Sequence, residues 1–113
     1  MGLLQLQSKF TVQVAKLILK AQELGYEVTL GDAYRDPRVF GPMGEKKGYG
    51  QANSCHKLRL AIDLNLFVDG EYRTDTEAHR QLGEWWESQG GSWGGRFSIP
   101  DGNHYSFSYQ GFQ

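Results

Sequence analysis

His56, Asp63 and His104 are the residues whose types could do chemistry together in this chain. Two imidazoles and one carboxylate form a common ligand set for catalytic zinc and leave a fourth coordination position for water. His56 and Asp63 lie seven apart, which is not helical spacing, so they converge only where a turn folds back onto a strand. A hydrogen-bonded core aspartate with two surface histidines accounts for the same residues. Cys55 with His104 offers another chemistry, a thiol nucleophile served by a distant base. Because Cys55 is the single cysteine, an internal disulfide and a four-cysteine zinc site are excluded, and any metal falls to histidine and carboxylate.

Positioning such residues requires strands and turns around them. Phe10, Val14, Leu17, Ala21 and Leu24 recur at helical spacing between a Ser8 cap and Gly25, which predicts a first helix. Tyr26, Val28 and Leu30 then alternate with Glu27 and Thr29, the period of a strand with one buried face. Residues 36–53 hold two prolines and four glycines and show no apolar period, so they read as a long loop that walls a cleft. Residues 60–67 predict a second strand, with Ile62, Leu64 and Leu66 on one face and Ala61, Asp63 and Asn65 on the other. A hairpin turn follows at Val68, Asp69, Gly70 and Glu71. Thr74 and Glu77 have capping-box spacing and start a second helix through Ala78, Leu82, Trp85 and Trp86 to Gly90 and Gly91. Residues 104–108 alternate again as a last strand. These elements add up to an α+β chain, a small central antiparallel sheet with two main helices, forming one domain over residues 1–113.

Twelve basic and thirteen acidic residues give a net charge of −1, so no overall field holds a polyanion such as nucleic acid or an anionic bilayer. The N-terminal residues lack a basic segment followed by a long apolar run, and synthesis in the cytosol without a signal peptide is the expectation. His79, beside Arg80 and Gln81, reads as a solvated helix residue. Trp85, Trp86 and Trp93 read as core rather than as a sugar-stacking platform. Lys46 and Lys47 lack the order of a phosphate loop and suit either a solvated loop or attraction to an anionic wall polymer.

The string Ser54-Cys55-His56-Lys57-Leu58-Arg59-Leu60-Ala61-Ile62-Asp63 occurs with Ala33-Tyr34-Arg35 upstream and Asp101-Gly102-Asn103-His104 near the C-terminus. This set resembles the S-x-H-x-x-G-x-A-x-D and [ED]-x-x-H signatures of the D-alanyl-D-alanine carboxypeptidase and L-alanyl-D-glutamate endopeptidase family of zinc peptidases. That family is related in fold to lysostaphin-type peptidases and the Hedgehog signalling domain. The resemblance implies zinc held by His56, Asp63 and His104, with Asp101 as catalytic base. It also implies Arg35 on the substrate carbonyl and oxyanion, and Ser54 beside the substrate. Read without it, Asp101 is a turn aspartate before glycine, Arg35 an ion-pair partner of Asp32 or Asp36, and Ser54 a capping hydroxyl. Arg59 stands where the family often has glycine, and Asp101 where other branches use glutamate. The shorter base and the compact chain resemble the phage endolysin branch.

From this resemblance the expected activity is cleavage of the L-alanyl-D-glutamate bond of the peptidoglycan stem peptide. The alternatives are removal of terminal D-alanine, a Cys55-dependent wall amidase, and a cell-wall binding module without turnover. The expected protein is a monomer with no stable membrane association, made in the host cytoplasm and acting on the wall once the membrane is opened.

Overall fold

The computed structural model describes residues 2–48 and 51–113. Helix α1 spans Leu3–Glu23, β1 Glu27–Leu30, α2 Pro37–Phe40, β2 Ala61–Val68, β3 Glu71–Arg73, α3 Thr76–Ser88, β4 Ser92–Trp93 and β5 His104–Ser106. Short 3-10 turns at Cys55–Leu58 and Gly94–Arg96 complete the chain. The architecture is the expected α+β, a five-stranded antiparallel sheet with α1 and α3 as its main helices.

Strand β2 organises the sheet. One edge pairs with β1 from Glu27 opposite Phe67 to Leu30 opposite Leu64. The other edge pairs first with β5, then with the hairpin strand β3. Because side chains alternate along a strand, Ile62 and its partner Tyr105 enter the core while Asp63 and its partner His104 share the opposite face. The core face is covered by Phe10, Leu17 and Ala21 of α1 and by Leu82 and Trp86 of α3. The two helices meet through an edge-on contact of Phe10 with Trp86, ring centroids 5.9 Å apart. Trp86 and Trp93 are buried, as expected of core aromatics.

Several boundaries differ from those the sequence suggests. α1 begins at Leu3, five residues before Ser8, with Gly2 as its cap. Leu3 and Leu6 pack against the core, and that burial extends the helix past a favourable capping residue. At its other end Gly25 is left-handed (φ 81°), and Tyr26 N–H donates to Ala21 O at 2.9 Å in a Schellman arrangement. Helix α3 is capped by Asp75 rather than Thr74: the Asp75 carboxylate accepts from Ala78 N at 3.1 Å and is itself gripped by Arg73. Glu77 instead pairs with Arg80. In β1 the expected buried face is incomplete, with Leu30 66% exposed at the sheet edge. The last strand stops at Ser106, although Phe107 N still bonds Leu60 O.

His79 is also a correction. It is 1% exposed, on the α3 face that buries Leu82, Gly83 and Trp86, and its Nδ1 lies 2.8 Å from the Tyr105 hydroxyl. Burial pushes its pKa down to about 4. An unfolded chain regains the ordinary value near 6.5, so below that pH it binds a proton that the folded chain refuses. The stability from His79 is therefore full above pH 6.5 and is lost as pH falls towards 4, by on the order of 3 kcal/mol. Urea titrations between pH 7 and 4.5 should show this loss, and it should vanish in His79→Gln, which keeps a hydrogen-bonding group towards Tyr105.

Candidate metal centre

His56 comes from a 3-10 turn that Ser54 caps, its hydroxyl accepting from His56 N at 3.1 Å. Asp63 is fixed on its β1 side, where its carbonyl accepts from Gly31 N and its N–H donates to Asp32 O, both at 2.8 Å. His104 faces Asp63 across the strand pair. Leu60 and Leu64 bond to Phe107 and Asn103, which leaves Asp63 and His104 on a pair without mutual backbone bonds, where opposed side chains stand closest.

The three side chains meet. His56 Nε2 lies 3.2 Å and His104 Nδ1 3.5 Å from Asp63 Oδ1. All three ligand atoms fall within 4.8 Å of one another, the one such group among the described residues. Both histidines are buried, at 1% and 4% exposure, which overturns the reading of surface histidines. His56 Nδ1 lies 2.7 Å from Ala33 O. A carbonyl only accepts, so Nδ1 carries the hydrogen, and Nε2 of the neutral ring turns a lone pair towards the Asp63 oxygen. Two acceptors aimed at each other call for a cation between them. Tetrahedral zinc with bonds of roughly 2.0–2.1 Å separates neighbouring ligand atoms by about 3.3 Å, close to the spacing found. The donor set therefore fits zinc, with tautomer control of His56 by a backbone carbonyl.

Charge around the centre is arranged to keep Asp63 ionised. Burial opposes its charge, but the neighbouring His104 and His56 imidazoles outweigh this and hold the carboxyl at about 2. Its outer oxygen, Oδ2, lies 4.0 Å from Arg35 Nη2. The Arg35 guanidinium also donates to Ser54 Oγ at 3.1 Å and lies 3.6 Å from Asp32. Asp36, the other suggested partner, is taken by Arg38. Ser54 thus caps the His56 turn and seats Arg35 at once.

Asp101 stands on the rim of a cleft of about 730 Å³ whose lining includes Arg35, Ser54, Phe97, His104 and Phe112. Partial burial and the neighbouring Asp63 charge raise its pKa, while His104, His56 and Arg35 pull the other way. Its carboxyl therefore shares the field of the three ligands. The turn is pinned on every side: Asp101 N donates to Gly94 O at 2.9 Å, Trp93 Nε1 to Gly102 O at 2.7 Å, and Gly102 N to Thr76 Oγ1 at 3.2 Å. Gly94 is required, since a Cβ there would overlap the Asp101 carbonyl and meet His104 Cβ at 2.8 Å. The Thr76 and Trp93 supports come from α3 and β4, and nothing in the local pattern of residues 94–102 points to them.

Cys55 lies beside this centre in sequence but not in chemistry. Its thiol is fully buried, contacts Phe107 O at 3.4 Å, and is pushed up to about 11 by desolvation. A thiol so protonated is a poor nucleophile. Cys55→Ala should keep nearly all hydrolysis while a chelator removes it, as read by release of amino groups from peptidoglycan.

An antiparallel α+β fold that gathers two buried imidazoles and an ionised aspartate, with His104 lining an open cleft, defines a metal-dependent hydrolase. A family profile described as D-alanyl-D-alanine carboxypeptidase matches residues 47–107, and the chain belongs to that family, zinc peptidases that act on peptidoglycan peptides. The match spans over half of the chain and contains Ser54, His56, Asp63, Asp101 and His104, whereas Arg35 precedes it. No curated protein matches the chain in sequence. Arg59, where the family often has glycine, is left-handed at φ 57°. Glycine takes that conformation without strain; here the guanidinium stacks 4.0 Å over the Tyr34 ring, an attraction that offsets part of the cost.

Proposed function

We propose that this chain is an endopeptidase of the phage endolysin type, hydrolysing the L-alanyl-D-glutamate bond of peptidoglycan stem peptides as one catalytic domain and as a monomer. The carrying observation is the charge of the cleft. Among its described lining residues Arg35 is the only lysine or arginine, and Ser54, Asp32 and Asp63 already direct it towards the metal centre. Among these described residues no second cation stands ready to clamp a free C-terminal carboxylate, which a carboxypeptidase must recognise.

In this reading His56, Asp63 and His104 hold zinc. Bound zinc supplies a Lewis acid that polarises the scissile carbonyl and brings the pKa of a water to roughly 7. Asp101 takes the proton of the attacking water and returns it to the leaving amine. The Arg35 guanidinium, charged at every working pH, donates to the oxyanion as it forms. Ser54 holds Arg35 in place, and Phe97, whose ring centroid is 5.1 Å from that of His104, covers the imidazole on one side.

Synthesis in a host cytoplasm and release through an opened membrane belong to the same proposal. Among the described residues, no helix is long and apolar enough to cross a membrane. Mass spectrometry of digested muropeptides tests the bond. New peptides starting with D-glutamate and glycan ending in muramoyl-L-alanine are expected. Free D-alanine alone would make the chain a carboxypeptidase, and wall-bound protein releasing no amino termini would make it a binding module.

A further inference from the structure

Lys57 is 4% exposed although it carries a full charge and follows His56 directly. Lysine is almost never fully buried without partners. Its ammonium donates to three carbonyl oxygens, those of Pro42 at 3.2 Å, Glu45 at 2.5 Å and Ala52 at 3.0 Å. An ammonium has three hydrogens, so every one is used, and all three acceptors lie in the long Gly-rich loop. Its described residues have no strand partner. Its own backbone bonds are short-range, from Glu45 N to Pro42 O, Lys47 N to Phe40 O and Gly44 N to Ala52 O. Ala52 O thus serves both Gly44 and Lys57, and it stands at the start of the stretch Ala52, Asn53 and Ser54 that forms a wall of the cleft. The wall ends at the hydroxyl that seats Arg35.

We propose that Lys57 is a positioning residue for the peptidase: its ammonium clasps the loop from inside, and the clasped loop fixes the wall against which the substrate and Arg35 are held. Local order in a segment without a ladder depends on such fixed points, and a wall displaced by an ångström is enough to lower the rate of a positioned reaction. The idea rests on the cleft being the substrate site and is independent of which stem-peptide bond is cut.

The test compares zinc-loaded full-length Lys57→Ala and Lys57→Met with the unaltered chain, measuring zinc content, amide hydrogen exchange, and amino groups released from a soluble muropeptide. Both variants should keep one zinc per chain. KM should rise about tenfold with kcat changed little, and amides of residues 43–48 and 51–53 should exchange at least tenfold faster. In Lys57→Ala, n-propylammonium replaces the missing stem and charge and should restore both KM and slow exchange. Should Lys57→Ala fail to fold, Lys57→Met, which keeps the apolar stem without donors, carries the same comparison. Faster loop exchange with an unchanged KM, unchanged exchange, or loss of zinc from both variants would overturn the proposal. An unaltered chain inactive on muropeptides would instead count against the cleft as substrate site, leaving the exchange arm to judge the clasp.

Discussion

Asp101→Ala keeps its zinc and loses hydrolysis, with kcat on a soluble muropeptide expected to fall by about 10²–10⁴. That range corresponds to roughly 3–5 kcal/mol of barrier, the contribution of one positioned proton acceptor. Zinc retention follows because Asp101 stands on the cleft rim, outside the group in which His56, Asp63 and His104 approach one another. The main chain of the turn is held by Gly94, Trp93 and Thr76 rather than by the Asp101 carboxyl, so the alanine variant should keep its fold. Asp101→Asn, matching the shape without the basicity, should be as inactive as alanine. Metal analysis beside steady-state kinetics checks both, and a fully active Asp101→Ala would remove Asp101 from the mechanism.

Stripping the metal, or replacing His104 by alanine, is expected to abolish hydrolysis altogether and to lower thermal stability. In the stripped protein an ionised, largely buried Asp63 remains facing the lone pair of His56, with Arg35 at 4.0 Å as its nearest cation. Zinc at 100 times its dissociation constant would stabilise the fold by about 2.7 kcal/mol, a shift of the order of 10 °C for a chain of this size. Calorimetry with and without chelator, followed by zinc add-back, should show the loss and full recovery in the unaltered chain. His104→Ala should recover neither activity nor melting temperature on add-back. Active chelated protein, or a melting curve indifferent to zinc, would remove the metal centre.

Much of this site was legible before any coordinates. The period-two pattern of residues 60–67 put Asp63 on the face opposite Ile62 and Leu64, and the folded chain keeps that assignment because one slip in register would expose the whole apolar face. His56, Asp63 and His104 converge, as the resemblance to the zinc peptidase family implied. His79 could have been found too, since residues 79, 82, 83 and 86 follow the helical period of a buried face; its polar neighbours in sequence pointed the wrong way. Thr74 and Asp75 are both good caps, and their choice depended on Arg73, which grips Asp75 from the preceding strand.

Residue type and alternation alone determined which side chains could bind a metal, which strand face carried Asp63, and that Cys55 had no disulfide partner within residues 1–113. Tertiary structure decided the rest, because distance in space is not a function of distance along the chain. The pairing of β2 with β5 set Asp63 against His104, the Ala33 carbonyl chose the tautomer of His56, and the Trp93 and Thr76 bonds held Asp101 at the cleft. The burial of Lys57 among three loop carbonyls has no period to announce it. Backbone acceptors are identical at every residue, so only the path of the folded chain shows where three of them gather.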